Sequence, residues 1–127
     1  MSNGAPSFQE ILEAANTEGS FALTALTGED GLPIASAPAT PTFDVETVAA
    51  MVTLVKDFIE QTRTRLGMDT VDEVSMVISD RSRLVCRYFY AAGHWFILVV
   101  IAPPDRTYRR LTTRAIRDLR ATWESGA

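Results

Sequence analysis

One uninterrupted apolar run constrains the fold of this chain more than any other feature. It extends from Trp95 to Ala102, is rich in β-branched and aromatic residues, and stops at Pro103. The run is too short to cross a bilayer, which requires about 20 apolar residues. Its length and composition are typical of a strand buried on both faces. Such a strand needs neighbouring strands on either side and helices above and below the sheet.

Capping and turn residues divide the chain into eight elements, in the order α-β-β-α-β-β-β-α. Ser7 lies three residues before Glu10, which is the spacing of a capping box, and Asp44 can cap the second helix. Pro33 has no N–H to donate, so the second strand is predicted at a sheet edge. The predicted helices run from Ser7 to the stop at Gly19, from Asp44 to Leu66, and from Arg106, with Asp105 as cap, to Glu124. The predicted strands are 21–27, 32–37, 72–79, 83–91 and 94–102.

This order of elements predicts an α+β fold with a five-stranded, mostly antiparallel sheet, because hairpins connect most of the strands. The long connection between the second and third strands places the second helix on one face of the sheet. The two terminal helices then cover the other face. We expect a single domain over residues 7–124, a disordered N-terminal tail at 1–6 and a C-terminal tail at 125–127.

The composition argues against several classes of function. One cysteine, Cys86, and one histidine, His94, leave no basis for a disulfide, a Cys cluster or a His-based metal site. The more frequent roles of such residues are a buried structural thiol and a surface strand histidine. There is no phosphate loop, no dinucleotide fingerprint and no nucleophile elbow. We therefore expect no enzymatic activity, no cofactor and no metal.

Charge and hydropathy argue against two further classes of partner, nucleic acids and membranes. The net charge is −4 and the sequence pI is about 4.9, which argues against nucleic acid as a partner. The first 20 residues lack a basic start followed by an apolar run, so no signal peptide and no membrane association are expected. Cytoplasmic localisation is the expectation.

The second helix is more apolar than one core requires. At about 100° per residue its apolar side chains cover roughly 180° of the surface, whereas docking on a core uses about 100°. The excess either lies under loops of the same monomer or forms a subunit interface. We favour the interface, because few elements of so small a domain remain to cover it and twofold pairing is the commonest solution. The predicted dimer interface consists of Val48, Met51, Val52, Leu54, Val55, Phe58 and Ile59.

The last predicted helix carries arginines on one face, within an arc of roughly 140°. Its opposite, apolar face would dock on the sheet. An arginine face of this kind is usually solvated, but arginine also suits bidentate contacts with carboxylates on an acidic partner. The candidate partner-binding residues are Arg106, Arg110, Arg114 and Arg117.

Several local features, in order along about Ser7 to Glu124, resemble the Roadblock (dynein light chain seven) family. They are Gly19 before the first strand, Ala22 to Thr27, the hairpin Asp30-Gly31-Leu32-Pro33-Ile34-Ala35, the helical pair Ala49-Ala50, and Leu66-Gly67. The resemblance implies a Roadblock/profilin-like fold that forms homodimers through the second helices and an edge strand. It also implies work as a scaffold or regulator of small Ras-like GTPases, without a nucleotide site of its own. A bacterial gliding-motility member of the family is a GTPase-activating protein of that kind.

We therefore expect a bacterial, homodimeric, non-catalytic signalling protein that binds a small Ras-like GTPase and modulates its GTP hydrolysis. The alternative is a structural assembly or adaptor protein with no GTPase partner.

Overall fold

The computed structural model describes residues 6–125, which contain three helices and five strands in the predicted order. The α+β class is therefore confirmed. Of the predicted tails, residues 1–5 and 126–127 lie outside the described residues. The elements are α1 (Phe8–Gly19), β1 (Leu23–Gly28), β2 (Pro33–Ala37), α2 (Val45–Leu66), β3 (Glu73–Val77), β4 (Arg83–Ala91), β5 (His94–Ala102) and α3 (Arg109–Glu124).

The five strands form one antiparallel sheet in the order β2-β1-β5-β4-β3. The apolar run identified in the sequence is the central strand β5, and its residues from Phe96 to Ala102 are all buried. The strand containing Pro33 lies at one edge, as its missing N–H predicts. The opposite edge is β3.

The helices cover both faces of the sheet. Because successive side chains of a strand point to opposite faces, β5 contributes to two separate cores. One core packs α1 and α3 against the sheet through Ile11, Leu12, Ala15, Ala115, Ile116, Leu119, Leu26, Phe89, Phe96 and Leu98. The other packs α2 against the sheet through Val52, Leu23, Ala25, Cys86, Tyr88, Ile97, Val99 and Ile101. The predicted placement of the helices is confirmed.

Different interactions cap the two ends of the first helix. Ser7 and Glu10 form the predicted capping box, which satisfies two N–H groups at the N-terminus of α1. At the other end, the left-handed residue is Ser20, with φ of 54°, and not the predicted stop Gly19. Gly19 is required for a different reason, since a Cβ there would lie 2.4 Å from the ring of Phe21.

The predicted start of the last helix is wrong. Asp105 has φ of 63°, whereas an N-cap residue needs an extended backbone, so Asp105 does not cap the helix. The helix begins at Arg109, after Tyr108, whose side chain makes no cap hydrogen bond. Arg106 therefore lies in the loop before α3. The third strand is also shorter than predicted, because its turn begins at Ile78, whose carbonyl accepts from the N–H of Arg81.

Candidate subunit and partner interface

The outer surface of α2 is apolar and solvent-exposed in the single chain. Asp44 caps the helix and Gly67, with φ of 68°, ends it, so 22 residues form one continuous rod. The side chains of Met51, Leu54 and Phe58 are 59%, 68% and 67% exposed. No loop among residues 6–125 covers them. This row is the kind of apolar patch that marks a protein interaction site.

A groove runs beside this row because α2 covers only part of its face of the sheet. The helix packs mainly over β1, β2 and β5, and a gap remains between it and the half-buried side chains of Val74 on β3 and Leu84 on β4. The resulting α2 groove has a volume of about 210 Å³ and an almost entirely apolar lining. It is lined by Thr47, Val48, Met51, Val52 and Val55 of α2 and by Val74, Met76, Leu84 and Cys86 of the sheet.

The predicted interface residues fall into three groups. Met51, Leu54 and Phe58 are exposed, whereas Val48, Val55 and Ile59 are half-buried. Val52 is only 3% exposed and packs in the core against the sheet. Val52 therefore lies in the core of its own chain and also forms part of the floor of the α2 groove.

The two edges of the sheet differ in their availability for pairing. At β2, Pro33 lacks an N–H, and the Gln9 side-chain amide donates to the carbonyl of Ser36 at 2.6 Å. At β3, no element within residues 6–125 pairs with the outer side of the strand. The side chains of Met76 and Val77 are exposed there. Because uncovered edges are sites of strand pairing, β3 is the edge that can accept another chain.

The arginines near α3 are largely bound within their own chain. Arg106 donates to Ser20 Oγ at 2.7 Å, and Arg114 forms an ion pair with Glu18 of α1. Arg117 is within 3.4 Å of its neighbour Asp118, an exposed contact that contributes little. Among the four predicted partner-binding residues, Arg110 and Arg117 present the most accessible charges.

No protein-family model matches the sequence, and no curated protein matches it. Solved structures do match over almost the whole chain. MglB from Myxococcus xanthus has a TM-score of 0.81 at 16% identity, over 93% of this chain and 95% of that chain. The gliding protein MglB from Thermus thermophilus has a TM-score of 0.75 at 21% identity, over 98% and 96%. A Roadblock/LC7 domain from Streptomyces avermitilis has a TM-score of 0.75 at 14% identity, over 92% and 95%.

The chain has a Roadblock-like fold. The resemblance inferred from the sequence is thereby confirmed at the level of the fold. A further structure with the Roadblock-like fold, 21% identical with a TM-score of 0.69 over 95% of this chain and 90% of that chain, is described as MglB with a tetrameric arrangement.

Sequence reasoning missed a cluster of charges around a buried arginine in this Roadblock-like domain. Arg87 is 5% exposed, and its guanidinium donates to Thr112 Oγ1 at 2.7 Å and Thr113 Oγ1 at 3.2 Å. The carboxylates of Asp72 and Glu73 lie 3.6 and 3.9 Å from it. The cluster fixes the start of β3 against α3. Its only signal in the sequence is an arginine at an inward position of an otherwise apolar strand.

Arg109 and Tyr108 strengthen the same connection from α3. Arg109 pairs with Asp72 at 2.6 Å and also with Glu73. The Tyr108 hydroxyl donates to Glu73 Oε2 at 2.7 Å, and this bond raises the pKa of Tyr108 because it stabilises the protonated phenol beside a carboxylate. The exposed edge of the Roadblock-like sheet is thus held in place by α3.

Cys86 and His94 are the remaining residues that could take part in catalysis or metal binding. Cys86 is buried on the floor of the α2 groove, and burial raises the pKa of its thiol to about 12. His94 is exposed, with Nδ1 3.2 Å from Glu29 Oε2. Within residues 6–125, no three His, Cys, Asp or Glu side chains are grouped so that they could bind a metal ion. Over that part of the Roadblock-like chain, no helix combines the length and apolarity needed to cross a bilayer.

Proposed function

We propose that this protein is a homodimeric, non-catalytic regulator that binds a small Ras-like GTPase in a bacterial cytoplasm and modulates its GTP hydrolysis. The observation that carries the proposal is an exposed apolar helix beside an apolar groove, in a domain with a Roadblock-like fold. A second copy is the proposed partner of this surface, and the GTPase is the proposed partner of the dimer.

The dimer is supported by two features on the same side of the molecule. The α2 groove and the exposed edge strand β3 adjoin each other, because Val74 and Met76 of β3 line the groove. One copy of α2 can therefore supply apolar side chains to the groove of the other, while the two β3 edges approach. Burial of a side chain such as Phe58 contributes about 1.5–3 kcal/mol. Several such residues per protomer are enough to offset part of the cost of association.

The GTPase is supported by the Roadblock resemblance, which implies work with small Ras-like GTPases, and by the fold shared with the gliding protein MglB. Arg110 and Arg117 are the proposed contacts to carboxylates on that partner, since they are the accessible members of the arginine set. Arg106 and Arg114 belong to the same surface but are bonded to Ser20 and Glu18.

The dimer is tested by charge substitutions on α2. Met51→Glu and Phe58→Glu place a carboxylate in the apolar interface, so light scattering should show monomers that retain the wild-type helical circular dichroism. Leu54→Glu tests the outermost residue of the row. Thr64→Glu is the matched control, because Thr64 is exposed on the same helix and lies roughly 80–140° around its axis from Met51, Leu54 and Phe58. A wild-type protein that is monomeric, or dimers that persist in both Met51→Glu and Phe58→Glu, would show that this interface is wrong.

The GTPase is tested with a purified partner. A Ras-like GTPase recovered by pull-down from native lysate is loaded with GDP or with a non-hydrolysable GTP analogue, and its affinity for the protein is measured in each state. We expect nucleotide-dependent binding and an altered rate of GTP turnover. Arg110→Glu with Arg117→Glu should weaken binding without splitting the dimer. An intact dimer for which no Ras-like GTPase binds would instead favour the assembly or adaptor function.

A further inference from the structure

A second surface lies on the β2 side of the sheet, at the opposite end of the strand order from β3. It is an open cleft of about 370 Å³ between the β1–β2 hairpin, the start of β5 and the end of α3. We call it the hairpin cleft. It is lined by Gly28, Glu29, Asp30, Leu32, Pro33, Ile34, His94, Phe96 and Trp123.

The apolar part of the hairpin cleft is aromatic inside and aliphatic at the rim. Trp123 meets Phe96 edge to face at a centroid distance of 4.7 Å and stacks on Phe8 at 5.4 Å. Leu32 and Ile34, on the hairpin, are 63% and 40% exposed. Exposed aliphatic residues beside a fixed aromatic wall are unusual for a surface turn, which normally carries polar side chains.

The polar part is acidic and held in position by the backbone. Glu29 accepts hydrogen bonds from the N–H of Trp95 and from His94 Nδ1, both at 3.2 Å, in the tautomer that carries that proton. Asp30 Oδ1 accepts from the N–H of Leu32 at 3.1 Å. These bonds fix two adjacent carboxylates at the mouth of the cleft.

The charge around the cleft favours a cation. Among residues 6–125 its lining includes no lysine or arginine; the basic groups that act on Glu29 are His94, in the lining, and more weakly Lys56 of α2. The first 60 residues of the sequence, which supply the hairpin, carry nine acidic residues and one basic residue. Aromatic faces attract cations, and carboxylates bind guanidinium and ammonium groups through charge-assisted hydrogen bonds. An apolar cleft with an acidic mouth therefore matches a basic side chain that is flanked by aliphatic ones.

We infer that the hairpin cleft is a second protein-interaction site, which binds a partner segment with an arginine or lysine next to aliphatic residues. The cation lies between the carboxylates of Glu29 and Asp30 and the aromatic wall, and the aliphatic neighbours contact Leu32 and Ile34. The site is separate from the α2 groove and β3, so it does not depend on the proposed dimer or on the GTPase. It would let the protein bind two partners at once.

The probe is the short peptide acetyl-Ile-Arg-Ile-Arg-amide, titrated into the full-length protein and followed by amide and indole NMR signals. We expect signals of Leu32, His94 and the Trp123 indole to shift, and that of Gln61 on α2 to stay in place. The matched probe acetyl-Ile-Glu-Ile-Glu-amide should produce no shifts at the cleft. Equal binding of both peptides, or shifts elsewhere only, would overturn the assignment.

The variant Glu29→Gln with Asp30→Asn removes both charges and keeps one acceptor oxygen on each side chain, for the N–H groups of Trp95 and Leu32. It should weaken binding of the arginine peptide at least about tenfold, which is about 1.4 kcal/mol. Glu46→Gln with Asp57→Asn removes the same charge from exposed positions on α2 and should leave the affinity unchanged. Equal weakening in both double variants would mean that only net charge matters, and the site would be refuted.

A second copy of this chain is the competing occupant, since its accessible arginines near α3 could reach the cleft. In that case Glu29→Gln with Asp30→Asn would lower the mass measured by light scattering, and the arginine peptide would leave the cleft signals unshifted. That pair of results would also overturn the inference. We expect instead that the mass does not change and that peptide binding is lost.

Discussion

The Gln9 side-chain amide of α1 donates a 2.6 Å hydrogen bond to the backbone carbonyl of Ser36 in the edge strand β2. The bond occupies an acceptor that an incoming strand would need. Pro33, in the same strand, has no N–H to offer. Two independent features thus protect this edge, whereas no strand in the described part of the chain pairs with the outer side of β3. The sheet can be extended in one direction, which favours closed pairs over filaments.

Gln9→Leu should have two effects. It should lower the free energy of unfolding by about 1 kcal/mol, because one hydrogen bond to the sheet is lost. It should also raise the mass measured by light scattering at high concentration, since the Ser36 carbonyl becomes available to other chains. Thr17→Leu is the control, because it adds a similar side chain at an exposed position of α1. It should change neither the free energy of unfolding nor the mass. If both variants behave alike, Gln9 has no role in protecting the edge.

Arg87→Met should destabilise the fold by about 2 kcal/mol, measured by urea denaturation. The substitution removes the donor to Thr112 and leaves the two carboxylates near β3 without their buried counter-charge. Arg117→Met is the control, because Arg117 is exposed and its loss should change stability by less than about 0.5 kcal/mol. Similar midpoints for the two variants would contradict the role assigned to Arg87.

The sequence predictions were accurate for features that neighbouring residues determine, and less accurate for features that depend on contacts between distant parts of the chain. The predicted bounds of β4 and β5 agree with the structure, because apolar periodicity and adjacent turn residues define them locally. The predicted start of α3 was wrong because Asp is common both at helix N-caps and at positive φ, so the residue type of Asp105 did not decide between them. The exposed row on α2 was predictable from its wide apolar arc.

Features formed by several elements could not be predicted in the same way. The Arg87 cluster joins β3, β4 and α3, and the hairpin cleft joins a turn, a strand and a helix end. Glu29 and Asp30 lie in the turn between β1 and β2, but their position beside Trp123 depends on how α3 crosses the sheet. The bonds of Arg114 to Glu18 and of Arg106 to Ser20 likewise need the folded chain.

Gly19→Ala should destabilise the fold by about 1–3 kcal/mol, because the added methyl would overlap the buried ring of Phe21. The cause can be tested by a double-mutant cycle with Phe21→Leu, measured by thermal or urea unfolding. In the Phe21→Leu background, Gly19→Ala should cost much less than in the wild type. Additive effects would indicate that helix propensity or backbone freedom causes the destabilisation by Gly19→Ala, and that contact with the Phe21 ring does not.

Cys86 should be almost unreactive in the folded protein. Burial raises the pKa of its thiol to about 12, so at pH 8 only about one thiol in 10,000 is the reactive thiolate. Labelling with a disulfide reagent should therefore be slow in native buffer and fast and stoichiometric in denaturant. Fast labelling of the native protein would mean that the floor of the α2 groove opens readily, and that the groove is not a stable interface.

The carboxylate of Glu29 should titrate at a lower pH than an ordinary glutamate. Its pKa is lowered from 4.5, chiefly by the hydrogen bond from His94 and next by the N–H of Trp95. Since the folded-state pKa is depressed, the stability that this group adds is present above the unfolded value and is lost as the pH falls through the folded value. The relevant window is therefore acidic, at and below about pH 4.5.

The carboxyl signal of Glu29 measured by NMR reports this pKa directly. His94→Gln should raise it toward its usual value, whereas Lys56→Gln should raise it much less, because Lys56 is the weakest of the contributing causes. The difference in urea midpoint between the wild type and Glu29→Gln should also shrink as the pH falls below 4.5. A Glu29 pKa that does not respond to His94→Gln would show that the two side chains are not bonded in solution. The carboxylate at the mouth of the hairpin cleft would then be held by the N–H of Trp95 alone.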